Sequence, residues 1–169
     1  MCSFGTVVFS VASMLSWDHI SRATEFFKPL ALKPKGITLA NRAGDWLKQA
    51  EGDLGHSRNA EKAGDYDWAC FAAQQSAEKA VKGLILAKGG EGWGHSVLRL
   101  LKDLSQVMTV SESLIRSAMR LDKHYIPTRY PNGFDTGAPK EYYSDEDANQ
   151  AFEDAKAIVD FCRQSFPDS

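Results

Sequence analysis

From Leu39 to the end of the chain, apolar residues recur three and four positions apart, and after Ile37 no stretch alternates apolar with polar residues. The first pattern puts side chains on one face of a helix, whereas a half-buried strand needs a period of two. The chain is therefore predicted to be all-α. Its short connections favour an up-and-down antiparallel bundle of four to five helices. Ala43, Leu47, Ala50, Leu54 and Ser57 make the first stripe and predict a helix over residues 41–62. Gly64 then suits a left-handed C-terminal position and Asp65 an N-cap. A second helix over residues 66–88 carries Cys70, Ala73, Ala77, Val81 and Leu84, side chains small enough for helix axes to approach closely. Its opposite side holds Trp68, Phe71, Gln75, Glu78, Lys79, Lys82 and Leu86. A helix apolar on two sides lies between neighbours or reaches a subunit interface, so a homodimer is expected. A third helix starts near Ser96, with Val97, Leu98, Leu101 and Leu104 inside. Thr109 and Glu112 have capping-box spacing ahead of a fourth, striped by Leu114, Ala118, Leu121 and Tyr125. In SDED (residues 144–147), Ser144 can cap the last helix and the acidic residues suit its dipole. That helix carries Ala148, Phe152, Ala155, Val159, Cys162 and Phe166.

A length of 169 residues fits one domain with a core, or one domain plus a tail. The formal net charge of -2 gives no global attraction to nucleic acid or to an anionic membrane, so any such binding must come from a local patch. Cys2, Cys70 and Cys162 are far apart and form no C-x-x-C pair. Neither a zinc knuckle nor a disulfide framework is indicated, and reduced thiols in a cytoplasmic protein are the simpler reading. His19, His56, His95 and His124 have no paired spacing, so no metal or cofactor is expected. FGTVVFSVASML (residues 4–15) is about half as long as a bilayer crossing requires. No Lys or Arg precedes it, so it is read neither as a secretory signal nor as a membrane span. Pro29 and Pro34 in KPLALKPKG remove backbone donors and fix φ, so no helix crosses there. The boundary falls near residues 37–41, leaving a tail over residues 1–38 and a helical domain over residues 39–169.

DKHYIPTRYPNG (residues 122–133) places Arg129 and Tyr130 between two prolines. Ile126 and Tyr130 each precede a proline and are biased away from the helical region, which predicts an extended, stiff arm. Stiffness lowers the entropy lost when a guanidinium clamps an anion, and Arg matches a phosphate bidentately. Tyr130 adds a stacking face. Alternatively, proline merely stops a helix and Arg129 pairs with Asp122 or a helix C-terminus. Gln75, Glu78 and Lys82 lie at i, i+3 and i+7 on one helix face, and Glu78–Lys82 is a favourable pair by spacing alone. They share that face with Trp68 and Phe71, so they are expected to be partly buried and to need partners. His95 follows a glycine-rich loop beside a helix start. It suits a capping neighbour, a phosphate contact or a base. GGEG lacks a preceding strand and a following G-K-[ST], which excludes a P-loop.

WLKQAEGDL (residues 46–54), YDWACFAAQQSAEKAVKGLIL (66–86), HSVLRLL (95–101) and LDKHYIPTRYP (121–131) occur in this order. Together they resemble the HEPN domain, the nucleotide-binding domain named for higher eukaryotes and prokaryotes, over about residues 41–166. The resemblance implies a homodimeric helical bundle, often accompanied by a minimal nucleotidyltransferase in a toxin–antitoxin pair. It implies that Arg129 and Tyr130 contact a nucleotide or RNA phosphate, with Lys79, Lys82, His95, Gln75 and Glu78 as neighbours. Many HEPN toxins are metal-independent ribonucleases with an Arg and a following His. Arg120 and His124 are the nearest counterparts, at a spacing shorter than that signature. The T-R-Y-P segment is similar to a branch in which binding or partnership outweighs defined catalysis. Three readings stand: a phosphate-binding module, a ribonuclease using Arg120 and His124, and a structural dimer without a ligand.

Overall fold

The computed structural model describes residues 42–167. The tail predicted over residues 1–38, Cys2 and Asn41 lie outside the described residues. Five α-helices follow one another: α1 (Ala43–Ala63), α2 (Tyr66–Ala87), α3 (Val97–Leu104), α4 (Glu112–Leu121) and α5 (Asp145–Ser165). Single 3-10 turns occupy Asp122–His124, Pro131–Gly133 and Pro139–Glu141, and no strand occurs among the described residues. The all-α, up-and-down bundle read from the spacing is the fold observed.

Gly64 ends α1 with φ 83°, a left-handed conformation that costs a residue without Cβ little. Its N–H reaches the Glu61 carbonyl at 3.0 Å and the Asp65 N–H reaches that of Ala60 at 2.9 Å, so the chain reverses after two residues. α2 is the central element, packed against α1, α5 and α3. Its alanines explain this. Ala69, Ala73, Ala77 and Ala80 are fully buried, and they let α1 and α5 come close on two sides. The approach is tight enough for buried hydroxyls to bridge helices: Ser57 donates to the Ala69 carbonyl at 2.9 Å, and Ser76 to that of Ala50 at 2.7 Å. Larger apolar side chains (Leu84, Leu100, Leu101, Leu104, Leu121, Ile158 and Val159) fill the rest of the core.

Two local expectations change. The fourth helix is capped by Ser111, whose hydroxyl accepts from the Leu114 N–H at 3.4 Å. Glu112 is then the first helical residue, and the Thr109–Glu112 box does not form. The segment 125–129 is wound into turns, and only Tyr130 is extended, at φ -128° and ψ 123°. Ser144 caps α5 as read, accepting from the Asp147 N–H at 3.3 Å, and the Ser144 N–H also donates to the Asp147 carboxylate at 3.0 Å, which makes a capping box.

Candidate functional site

Gln75, Glu78 and Lys82 project from one face of α2 toward the loop that leads into α3. Glu78 is the hub, with 5% of its side chain exposed. Its Oε1 accepts from Lys82 Nζ at 2.8 Å and from His95 Nδ1 at 3.2 Å. Its Oε2 accepts from Gln74 and Gln75, both at 3.3 Å. A carboxylate taken out of water needs such a set of donors, and two of the four are cationic or titratable. Gln74 also donates to the His95 carbonyl at 2.9 Å, so two α2 side chains hold the histidine, Glu78 at its ring and Gln74 at its backbone. His95 faces the carboxylate through Nδ1, and its side chain is 58% exposed.

Asp122 completes this corner. Its carboxylate accepts from Ser96 Oγ at 2.6 Å, from the Val97 N–H at 2.7 Å and from the Leu98 N–H at 3.2 Å. It therefore caps the start of α3 from the end of α4, joining the loop that bears His95 to the segment that bears Arg129. It is not Arg129's partner.

Arg129 turns back on its own segment. Its Nη2 and Nε donate to the Tyr125 carbonyl at 2.6 and 3.0 Å. The guanidinium carbon lies 4.4 Å from the Phe71 ring centroid, 4.7 Å from that of Tyr125 and 5.1 Å from that of Tyr130. Three rings and a carbonyl hold it, and no carboxylate pairs with it among the described residues. The contact with a carbonyl near the end of α4 is part of the capping alternative. Among the described residues its charge therefore meets no opposite charge. Tyr125 stacks on His95 at 4.8 Å and 15°, so one ring touches both His95 and Arg129.

The structure thus brings together Gln75, Glu78, Lys82, His95, Arg129 and Tyr130. Lys79 is directed elsewhere: it pairs with Asp53 on α1, which also accepts from Gln49 at 2.7 Å. Arg120 grips Asp154 of α5 with both arms, at 2.6 and 2.5 Å, and Ser117 donates to the same carboxylate at 2.8 Å. His124 packs on Tyr143 at 5.7 Å, and its buried Nδ1 has no hydrogen-bond partner among the described residues. Burial pushes its pKa down, against the upward pull of Asp147 and Asp154. Cys70 and Cys162 are free and buried, and burial pushes both thiols up to about 12, which removes them as nucleophiles at neutral pH.

Sequence reasoning did not single out Gln74, Asp122 or Tyr125 as site residues. Gln74 sits four positions before Glu78, a spacing that could have found it. The roles of Asp122 and Tyr125 depend on the packing of α4 beside α3 and carry no local signal. Among the described residues no three His, Cys, Asp or Glu side chains converge as a metal site. None of the described helices is long and apolar enough to cross a membrane.

Comparison with known proteins agrees with this architecture. The solved structure of TT1696 from Thermus thermophilus is 48% identical, covers 74% of this chain and 98% of its own, and superimposes with a TM-score of 0.73. An archaeal HEPN homologue is 40% identical over 75% of this chain and 98% of its own, with a TM-score of 0.65. A HEPN domain protein from Thermotoga maritima is 33% identical over 71% of this chain and 95% of its own, with a TM-score of 0.59. The candidate toxin MJ1304 of Methanocaldococcus jannaschii is 27% identical over 72% of this chain and 88% of its own length. Residues 43–165 match the HEPN domain family, and the chain belongs to it.

Proposed function

We propose that the protein is a phosphate-binding HEPN module, taking a nucleotide or RNA phosphate at Arg129, with His95 beside it and Lys82 further along the same face of α2. It would act as a homodimer in a toxin–antitoxin-type system with a minimal nucleotidyltransferase partner. Likeness to the candidate toxin MJ1304 supports the system, and the two buried free thiols fit a cytoplasmic setting. The binding module comprises residues 39–169, with residues 1–38 an appended tail. One observation carries this reading above the others: Arg129 is fixed by rings and a carbonyl, and no carboxylate among the described residues pairs with it. A structural ion pair would have the opposite character, as Arg120 on Asp154 does.

Hydrogen bonds to a charged group contribute roughly 1.5–3 kcal/mol, so Arg129→Ala should weaken phosphate-ligand binding by about tenfold to a hundredfold. Arg129→Lys keeps charge but loses the fork and the ring stacking, and should recover only part of that loss. Calorimetric titration of nucleotides and short RNAs into the wild type and both variants tests this, with melting curves alongside. Unchanged affinity with a lowered melting temperature would reduce Arg129 to a turn-stabilising residue.

A further inference from the structure

A cavity of about 180 Å³ opens at the far end of the same α2 face, lined by Trp46, Lys82, Leu86, Glu91, Trp93 and the loop glycines Gly90 and Gly92. The loop is pinned. The Gly90 N–H bonds the Ile85 carbonyl at 2.9 Å, and a Cβ on Gly92 would stand 3.0 Å from Lys82 Cγ and 3.3 Å from a Leu100 methyl. Trp93 is nevertheless 78% exposed. Lys82 Nζ lies 6.0 Å from the Trp46 ring centroid while it is bonded to Glu78, so one ammonium belongs both to the cavity and to the polar cluster.

Phe71, Gln75, Glu78, Lys82 and Leu86 follow one another at three- and four-residue spacing, which is a single stripe along α2. Arg129 lies over Phe71 at one end and the two indoles stand beside Lys82 at the other. Eleven residues of helix at about 1.5 Å rise each put roughly 16 Å between those ends. That is too far for a base and the phosphate of the same nucleotide, and suits a strand of a few nucleotides, whose charges recur every ~3.4 Å or more. The two ends also differ chemically. A guanidinium at the first suits a phosphate, whereas two indole faces at the second suit a heterocyclic base.

We propose that this face of α2 is a track for single-stranded nucleic acid, with an unstacked base held between Trp46 and Trp93 and a phosphate a few nucleotides away on Arg129. The proposal rests on the phosphate-binding reading above and narrows its ligand from nucleotide to oligonucleotide. Stacking on the indoles is tolerant of sequence, so length governs affinity more than base identity does.

The test is calorimetric titration, at one fixed salt concentration, with adenylate chains of one, two, four and eight nucleotides in ribo and deoxyribo series. Wild type should bind the tetranucleotide at least about tenfold more tightly than the mononucleotide. Trp93→Ala should cut tetranucleotide affinity by between about fivefold and a hundredfold, bringing it near the mononucleotide value, without shifting the melting curve. Arg129→Ala should weaken every length. Equal gains in both series mean that the track reads bases and phosphates alone, and a gain confined to RNA adds the 2′-hydroxyl to it. Mononucleotide binding as tight as tetranucleotide, or a tetranucleotide affinity unmoved by Trp93→Ala, overturns the track while phosphate binding at Arg129 stands. Binding insensitive to Arg129→Ala overturns both. A dimer lost in Trp93→Ala by sedimentation assigns the indole to a subunit contact and also overturns the track.

Discussion

His124 is the one side chain among the described residues with a buried polar nitrogen left without a partner. Desolvation lowers its pKa in the folded protein, and Lys123 adds to that effect, while Asp147 and Asp154 only partly oppose it. In the unfolded chain the ring titrates near ~6.5. Between that pH and the lower folded value, the unfolded state binds a proton that the folded state refuses. Stability therefore holds above about pH 6.5 and falls as the solution is acidified below it, by at most ~1.4 kcal/mol per pH unit. Thermal melts from pH 8 to 5 should show this acid-side fall, and His124→Phe, which keeps a ring against Tyr143, should flatten it. Parallel profiles for wild type and variant would place the acid sensitivity in the carboxylates instead. At this scale the sequence was informative where partners share a helix. The spacing of Gln75, Glu78 and Lys82 put them on one face and marked them as needing partners. It could not show that His95 would become the fourth donor group, because the loop from Gly89 to Gly94 brings it there. Nor could it separate Arg120 from Arg129: both find partners, but one faces the buried carboxylate of Asp154 and the other faces rings.

Elements were legible wherever an apolar stripe met a strong cap, as at Gly64 and Ser144. They were misread where several hydroxyls compete for one helix start: Thr109, Ser111 and Ser113 all precede or open α4, and Ser111 takes the cap. Prolines misled in a different way. Steric bias alone predicts an extended segment after Ile126, yet Thr128 Oγ1 donates to the His124 carbonyl at 2.6 Å and Arg129 to that of Tyr125. Side-chain bonds to nearby carbonyls offset the pre-proline preference and wind the chain into turns. The contact between α1 and α2 depends on Gly83, where an added Cβ would stand 3.1 Å from the Ala43 carbonyl oxygen, 3.1 Å from Trp46 Cβ and 3.3 Å from the Leu47 nitrogen. Ala is favoured over Gly within a helix by ~1 kcal/mol. Overpacking costs about 1–3 kcal/mol, and two of the three atoms are helix backbone that cannot swing aside. Gly83→Ala should therefore lower stability by a net ~1 kcal/mol in urea unfolding and disturb the Trp46 environment. A stabilised variant would mean that the crossing is looser than these distances imply.

At the scale of the whole molecule, the bundle leaves a surface that the core does not use. Trp68 is 51% exposed and meets Phe71 edge-on at 5.9 Å and 78°. Phe71 carries Arg129 on its ring, and Arg129 meets the half-exposed Tyr130. A tryptophan, a phenylalanine, a tyrosine and an arginine in continuous contact are the residue types that concentrate binding energy at protein interfaces. That composition agrees with the two-sided apolar character of α2 from which a homodimer was expected. Sedimentation at micromolar concentration should therefore show a dimer. Trp68→Glu should shift it to monomer while leaving helicity intact, because Trp68 lies outside the buried core. If wild type sediments as a monomer, the aromatic surface belongs to a ligand or to a different protein. If Trp68→Glu remains dimeric, the subunits meet through another face. The position of Arg129 on the Phe71 ring adds a further consequence. A dimer built on Trp68 brings the Arg129 sites toward the seam, so ligand and dimerisation become linked, and a bound oligonucleotide should change the dimer dissociation constant. Repeating the sedimentation with and without the tetranucleotide measures that linkage, and an unchanged constant would place the seam away from Phe71.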